Sequence, residues 1–380
     1  MARILGESLD ELRRTRTSLK WRAFGDEVLP VWVAEMDAAP CPPVVDAVTA
    51  AVARGDSGYP WAGPFVDAFA DFAERRWKWA PETSGAVPVA DVMIGIEELL
   101  HALTGPAAGV VVSPPCYDSF YGFVESVGRR LVEARLVAGP DGSQRLDPAT
   151  LEGAFAEAGP GSAYVLCNPQ NPTGTVHTRE ELATVARLAA EYDVLVVSDE
   201  IHAPLVRPEV DFTPYLAVPE AAAGVAVVSA SKAFNLAGLK AALVVPGPAA
   251  HETVAALHEV VTHGASHVGV LAQTAAWACG DDWLDQLRGE IDGNRALLTR
   301  ALGEALPEVV VTPADATYLA WLDCGALGLE DPAARFLERG RVALSAGTRY
   351  DRTASGWARF NLGTSPEVIE EAVRRMAGSV

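Results

Sequence analysis

Five short runs in the middle of the chain, Gly109–Val112, Ala163–Cys167, Val194–Ser198, Gly224–Ser229 and Ala241–Val245, are apolar almost without interruption. A run of that length with no polar alternation suits a strand buried on both faces, as in a parallel sheet covered by helices. Helical patterns separate the runs. Thr178-Arg-Glu-Glu181 reads as a capping box, and Leu182, Val185 and Ala189 follow on one face. Strand and helix in alternation predict βαβ units and hence an α/β fold around a mostly parallel sheet.

The flanks read differently. Residues 1–40 look irregular, and helical patterns cover about 42–53 and 64–77. Beyond about residue 280 come a long helix (Trp283–Leu302) and strands near Val309–Val311 and Tyr318–Leu322. A last helix has Ser365 at its N-cap and Pro366 at N1. The predicted division is a large domain over 41–280 and a smaller one made of 1–40 and 281–380, as suits 380 residues.

Charge narrows the possible partners. Thirty basic against 50 acidic residues give a net charge of −20, which argues against nucleic acid and anionic membranes. Five scattered cysteines without a C-x-x-C pair suit reduced thiols and a cytoplasmic location. The charged N-terminus and the lack of a long apolar stretch give no sign of export or membrane spanning. Only four of the 30 basic residues are lysines (Lys20, Lys78, Lys232 and Lys240), which draws attention to any lysine placed beside other polar groups.

Three polar clusters follow predicted strands, and strand carboxyl ends line the ligand crevice of an open α/β sheet. Cys167-Asn-Pro-Gln-Asn-Pro-Thr-Gly174 is a rigid polar loop. Ser198-Asp-Glu-Ile-His202 sets a carboxylate at a strand end, suited to a metal, a base role or a heterocyclic cation. It resembles a helicase box, but no phosphate-binding G-x-x-x-x-G-K-[ST] loop accompanies it. Ser229-Ala-Ser-Lys232, continuing to Lys240, offers an amine that burial can make nucleophilic, with hydroxyls and a second lysine fit for phosphate.

In this order and spacing the clusters resemble the fold type I pyridoxal 5′-phosphate (PLP) enzymes of the aminotransferase class I/II superfamily, over nearly the whole chain. The resemblance implies a PLP-dependent transferase fold with a seven-stranded, mostly parallel sheet and a smaller α/β domain. It implies that Lys232 carries the cofactor and shuttles the α-proton, that Asp199 pairs with the ring nitrogen, and that Asn171 and His202 lie at the ring. Tyr117 would stack on the ring, and Ser229, Ser231, Lys240 and the backbone of Gly95 and Ile96 would hold the phosphate. Arg359 would clamp the substrate carboxylate. Tyr59 would reach the neighbouring subunit's phosphate, implying a homodimer with sites at the interface. A phosphate near Gly95 also suits a helix beginning at Ile96, and a planar guanidinium suits a carboxylate.

Trp32-Val-Ala-Glu-Met-Asp37 is similar to the V-A-D-M-D segment of the cystathionine β-lyase-like branch, the MalY/PatB group, and places Val33 and Asp37 near the substrate. That branch cleaves the C–S bond of cystathionine or other cysteine S-conjugates to a thiol, pyruvate and ammonia. Glu35, Ala38 and Arg349-Tyr350-Asp351 depart from its usual residues and bear on the substrate side chain. An aminotransferase is the alternative, and a PLP-binding regulatory protein a third reading. His263 and His267 stand at i, i+4 but lack an acidic third ligand in register, so no metal site is expected.

Overall fold

The computed structural model describes residues 2–380. Seven strands form the main sheet: β1 (Val87–Val89), β2 (Gly109–Val112), β3 (Arg130–Glu133), β4 (Ser162–Cys167), β5 (Val194–Asp199), β6 (Val225–Val228) and β7 (Ala242–Pro246). Their order is β3-β2-β4-β5-β6-β7-β1. Pairs from β3 to β6 are parallel, and β7 runs antiparallel to both β6 and β1.

Successive side chains leave a strand on opposite faces, so a sheet covered twice needs apolar residues at every position. Val110, Val112, Ala163, Val165 and Val197 pack on one face beneath Ile96, Leu99 and Phe120 of the helices Val92–Leu103 and Ser119–Ser126. Val111, Tyr164, Leu166 and Val196 face the other way, onto Leu151, Phe155, Leu182 and Val185 of Pro148–Ala158 and Arg179–Glu191. The capping box expected at Thr178 is present, with Glu181 answering it.

A second sheet contains β8 (Val310–Val311), β9 (Leu319–Asp323), β10 (Ser345–Ala346) and β11 (Trp357–Asn361) in the antiparallel order β8-β9-β11-β10. The helices Asp281–Ala305 and Pro366–Ala377 share a core with it through Leu298, Leu302, Ile369 and Val373. The N-terminal stretch joins this half, since Leu29–Pro30 pairs in parallel with Val342–Ala343. That stretch is less irregular than expected, carrying helices Leu9–Thr15 and Leu19–Arg22. The main sheet lies within 41–280 and the second within 281–380.

Directions in the sheet decide what meets at its edge. β4, β5 and β6 are parallel neighbours, and Cys167 pairs with Asp199, which pairs with Val227. The loops after these three strands therefore emerge side by side. Because β7 is reversed, with Leu243 opposite Val228, the residues entering it arrive at the same edge, which brings in Lys240. β1 is reversed relative to β7, so its carboxyl end delivers Asp91 there too.

Candidate active site

A cavity of about 250 Å³ opens at this edge, lined among others by Asn171, Asp199, His202, Ser231, Lys232, Lys240, Tyr117 and Arg359. Residues as far apart in the chain as Trp32 and Arg359 thus share one wall system.

Lys232 is the centre of it. Its Nζ donates to the Ala34 carbonyl (2.9 Å). Burial lowers its pKa to about 8, aided by the Arg359 cation and opposed by Asp199 and Glu35. Asp199, at the end of β5, is pushed the opposite way, to about 6, because burial outweighs its bond from the Ile201 amide (3.1 Å) and the nearby Lys232. A buried carboxylate held short of full ionisation suits a cationic heterocycle, whose charge would restore it. His202 is pushed down to about 3 by burial and by the cations of Lys232 and Arg359, so its ring is neutral and offers one donor and one acceptor. Its ring packs edge-on against Tyr318 at 6.2 Å, and its Nδ1 has no partner among the described residues.

Arg359 projects from β11 and ties the halves of the molecule together. Its Nη1 donates to Asn171 Oδ1 (3.0 Å), its Nη2 to the Trp32 carbonyl (3.0 Å), and its guanidinium lies over the Tyr350 ring at 4.6 Å. Two of its five N–H groups are thereby oriented, leaving others for an anion. The Trp32–Met36 backbone forms a strap over the cavity. Asn361 Nδ2 donates to the Val33 and Glu35 carbonyls (2.7 and 2.6 Å). Asn235 accepts from the Met36 amide and donates to the Met36 carbonyl, both at 2.9 Å. Val33 lines the cavity. The loop carrying Asn171 is held by Gly174 (φ +72), whose Cβ, if it had one, would lie 2.7 Å from Ala314 Cβ and the Ala316 carbonyl oxygen.

Several sequence-predicted residues occupy other places. Asp37 is buried away from the cavity, accepting from Lys20 Nζ and Trp21 Nε1, both at 2.7 Å. It anchors the strap rather than lining the cavity. Removing one partner of a buried ion pair strands the other charge, so Lys20→Ala is expected to cost about 3–5 kcal/mol of unfolding free energy. Urea titration reads this as a lower midpoint at unchanged slope, and a loss under about 1 kcal/mol would contradict it.

Ser229 is likewise displaced from the cavity wall. Its hydroxyl lies 2.9 Å from the Ala241 carbonyl and 3.0 Å from Gln273 Oε1, and it accepts from the Ser231 amide (3.1 Å). It shapes the turn that presents Ser231 and Lys232. The helix expected to start at Ile96 begins at Val92 instead, with Asp91 at its N-cap. The Gly95 amide is spent inside that helix, donating to the Asp91 carbonyl (2.9 Å). Glycine fits closely there, since a Cβ would come within 3.1 to 3.4 Å of Val89, Val227 and Val244 on the sheet and press on their methyl groups. The open amides of the helix's first turn are thus those of Val92 and Met93. Asp91 caps it at the Ile94 amide (2.8 Å) and pairs with Lys240 Nζ (2.5 Å), which marks an anion position beside Ser231. Ile96 lines the cavity by its side chain.

Tyr117 is half-buried against Phe120, ring centroids 5.6 Å apart, with its hydroxyl 3.6 Å from Met93 Sδ. Tyr59 is 91% exposed and does not line this chain's own cavity. His263 and His267 find separate partners, the Glu259 carbonyl and Asp56. Asp91 and Asp118 also line the cavity and were not singled out from sequence, whereas Arg349 and Tyr350, noted there as departures near the substrate side chain, do line it; Asp91 could have been found as an N-cap three residues before Ile94.

An amine poised near neutrality, a carboxylate facing it and an anion position a lysine away suit a phosphorylated aromatic aldehyde, and this is the architecture of the type I PLP-dependent transferases. The chain belongs to the aminotransferase class I and II family, whose model matches residues 42–376. It is 45% identical, over 96% of its length and 95% of the relative's, to a Mycobacterium leprae protein provisionally named cystathionine beta-lyase. It is 34% identical, over 97% and 98%, to the cystathionine beta-lyase of Corynebacterium glutamicum. A Corynebacterium diphtheriae structure provisionally named a PLP-dependent beta-cystathionase superposes with a TM-score of 0.92 at 33% identity, covering 99% of each chain.

The lowered pKa of Lys232 has a kinetic consequence. Only the neutral amine attacks an aldehyde, and its fraction grows about tenfold per pH unit below the pKa. Covalent uptake of PLP by the apoprotein is expected to accelerate up to about pH 8 and level off above it. Borohydride trapping at successive times measures this. A rate still rising steeply at pH 10 would mean an unshifted lysine.

Proposed function

We propose that this protein is a PLP-dependent carbon–sulfur lyase that releases a thiol, pyruvate and ammonia from cystathionine or a related cysteine S-conjugate. The observation that carries the reading is the half-buried Lys232, whose amine shares one cavity with Asp199 and Arg359 and has its pKa lowered there. The names of the relatives above support the same activity.

Lys232 and Asp199 would hold PLP, with Asn171, His202 and Tyr117 around its ring and Ser231, Lys240 and the helix end at Val92 around its phosphate. When bound, the cofactor supplies an aldehyde that joins the substrate amine and a ring that draws off the electrons of the broken Cα–H bond. Asp199 keeps a proton on the ring nitrogen. Arg359 grips the substrate carboxylate and fixes the Cα–H bond toward Lys232. The Lys232 amine then removes the α-proton, for which a pKa near the working pH is well matched. The Trp32–Met36 strap limits water access while the Cβ–S bond breaks and the thiol departs.

Three further points belong to the reading. The exposed Tyr59 and Trp61 fit a homodimer in which Tyr59 completes the partner's phosphate site. The division into 41–280 and 1–40 with 281–380 fits a cleft between two domains. Among the described residues no helix is long and apolar enough to cross a membrane, and all five cysteines are free, which supports the cytoplasm.

The test is to mix purified holoenzyme with cystathionine, without any keto acid, and to measure pyruvate and ammonia. Prompt, equimolar release is expected. Turnover only after an amino acceptor is added would make the protein an aminotransferase, and no turnover by a normally loaded protein would favour the regulatory reading.

A further inference from the structure

One charged pair in the cavity is used by none of these roles. Asp118 begins the helix that follows Tyr117, and Arg349 comes from the turn after β10; both line the cavity. Arg349 donates to Asp118 Oδ2 through Nε (2.8 Å) and Nη2 (2.5 Å). The Arg349 side chain is 61% exposed and that of Asp118 19%, so the pair stands at the mouth and not in the core. Between it and the inner arginine lies Tyr350. The Arg359 guanidinium covers its ring, and its hydroxyl feels the charges of Arg359, Asp118 and Arg349 together.

The cavity therefore offers two cationic grips along its length, one deep at Arg359 and one outer at Arg349 with a carboxylate beside it. A substrate with a single amino-acid head uses only the inner grip. Cystathionine and its relatives carry a second head, an ammonium and a carboxylate on one carbon, beyond the sulfur. We propose that Asp118 and Arg349 recognise that distal head, Asp118 accepting from its ammonium and Arg349 donating to its carboxylate, and so select two-headed thioether substrates. This rests on the lyase reading above and specifies its substrate class.

The physical cost is small. An exposed ion pair contributes little in water, so opening it loses little, whereas each partner gains an oppositely charged group from the substrate. The entering head replaces one pair by an alternating set of four charges. A planar guanidinium suits the carboxylate as no lysine would. The pair also spans the two halves of the molecule, so it could instead act as a latch that closes the cavity. A latch would act on every substrate alike, whereas recognition depends on the distal group.

The experiment compares four substrates in the holoenzyme and in Arg349→Ala and Asp118→Asn: cystathionine, S-(3-carboxypropyl)-L-cysteine, S-(3-aminopropyl)-L-cysteine and β-chloro-L-alanine. The first thioether analogue lacks only the distal ammonium, the second only the distal carboxylate, and the last has no distal head. Arg349→Ala is expected to lower kcat/KM about 10- to 100-fold, relative to β-chloroalanine, for cystathionine and the carboxypropyl compound, mainly through KM. Asp118→Asn is expected to do so for cystathionine and the aminopropyl compound. Equal losses on all four substrates, or no loss on any, would overturn the proposal. Absence of pyruvate from every substrate in the unaltered holoenzyme would instead sink the lyase reading itself.

Discussion

Lys232→Ala is expected to lower pyruvate release from cystathionine by about 10⁴-fold or more while leaving the chain folded. The magnitude follows from losing one amine with two roles, attachment of the cofactor and removal of the α-proton. A positioned general base alone contributes about 10²–10⁴. Folding should survive because this lysine is a liability to the apoprotein. Its pKa in the folded chain, about 8, lies below the ordinary lysine value, so the folded state resists its protonation. The resulting penalty is fully present below pH 8 and fades as pH rises through 8 toward the unfolded value. At neutral pH, truncation therefore leaves apoprotein stability unchanged or raises it, although the bond to the Ala34 carbonyl is lost. Thermal unfolding of the two apoproteins reads this directly. A variant that unfolds well below the parent would point to a structural role.

Asp199→Asn is expected to reduce kcat by about 10²–10³-fold while Lys232 still takes up the cofactor. The change removes charge at nearly constant shape, and the amide oxygen can still accept from Ile201. What disappears is the carboxylate that holds a proton on the ring nitrogen, an electrostatic contribution of the size seen when one preorganised group is deleted from an active site. The loss should appear in kcat more than in KM, because Asp199 faces the cofactor and Arg359 holds the substrate. A loss confined to KM would place Asp199 elsewhere in the mechanism.

The parts of the fold that were legible in the sequence were those with the most burial. β2, β4, β5 and β6 are covered on both faces, so each leaves an unbroken apolar run that needs no partner to be recognised. β3 lies at the sheet's edge and reads Arg-Leu-Val-Glu, while β1 is three residues with a proline at its centre; neither leaves such a run. The reversal of β7 was hidden for a different reason. Its side chains are as buried as those of β6, and an apolar run does not record which way the chain travels.

At the site, chemistry was easier to read than position. Lys232 and Asp199 each follow an unmistakable strand, so their meeting at the sheet edge was foreseeable. Gly95 was read as standing just before a helix, whereas it sits inside one and lets that helix approach three valines of the sheet. Asp37 was placed near the substrate by the resemblance of its segment, and its actual partner Lys20, 17 residues earlier, leaves no pattern in the sequence. The contact of Arg359 with Asn171 spans 188 residues and was not foreseen, since the resemblance gave each residue only a separate role.

The most direct measurement takes advantage of the scarcity of lysine. With only Lys20, Lys78, Lys232 and Lys240 in the chain, borohydride reduction of the PLP-loaded protein followed by peptide mass mapping has few possible outcomes. One pyridoxyl phosphate per chain, on the peptide containing Lys232, is the predicted result. Label on Lys20, Lys78 or Lys240, or none at all on a protein saturated with PLP, would contradict the account.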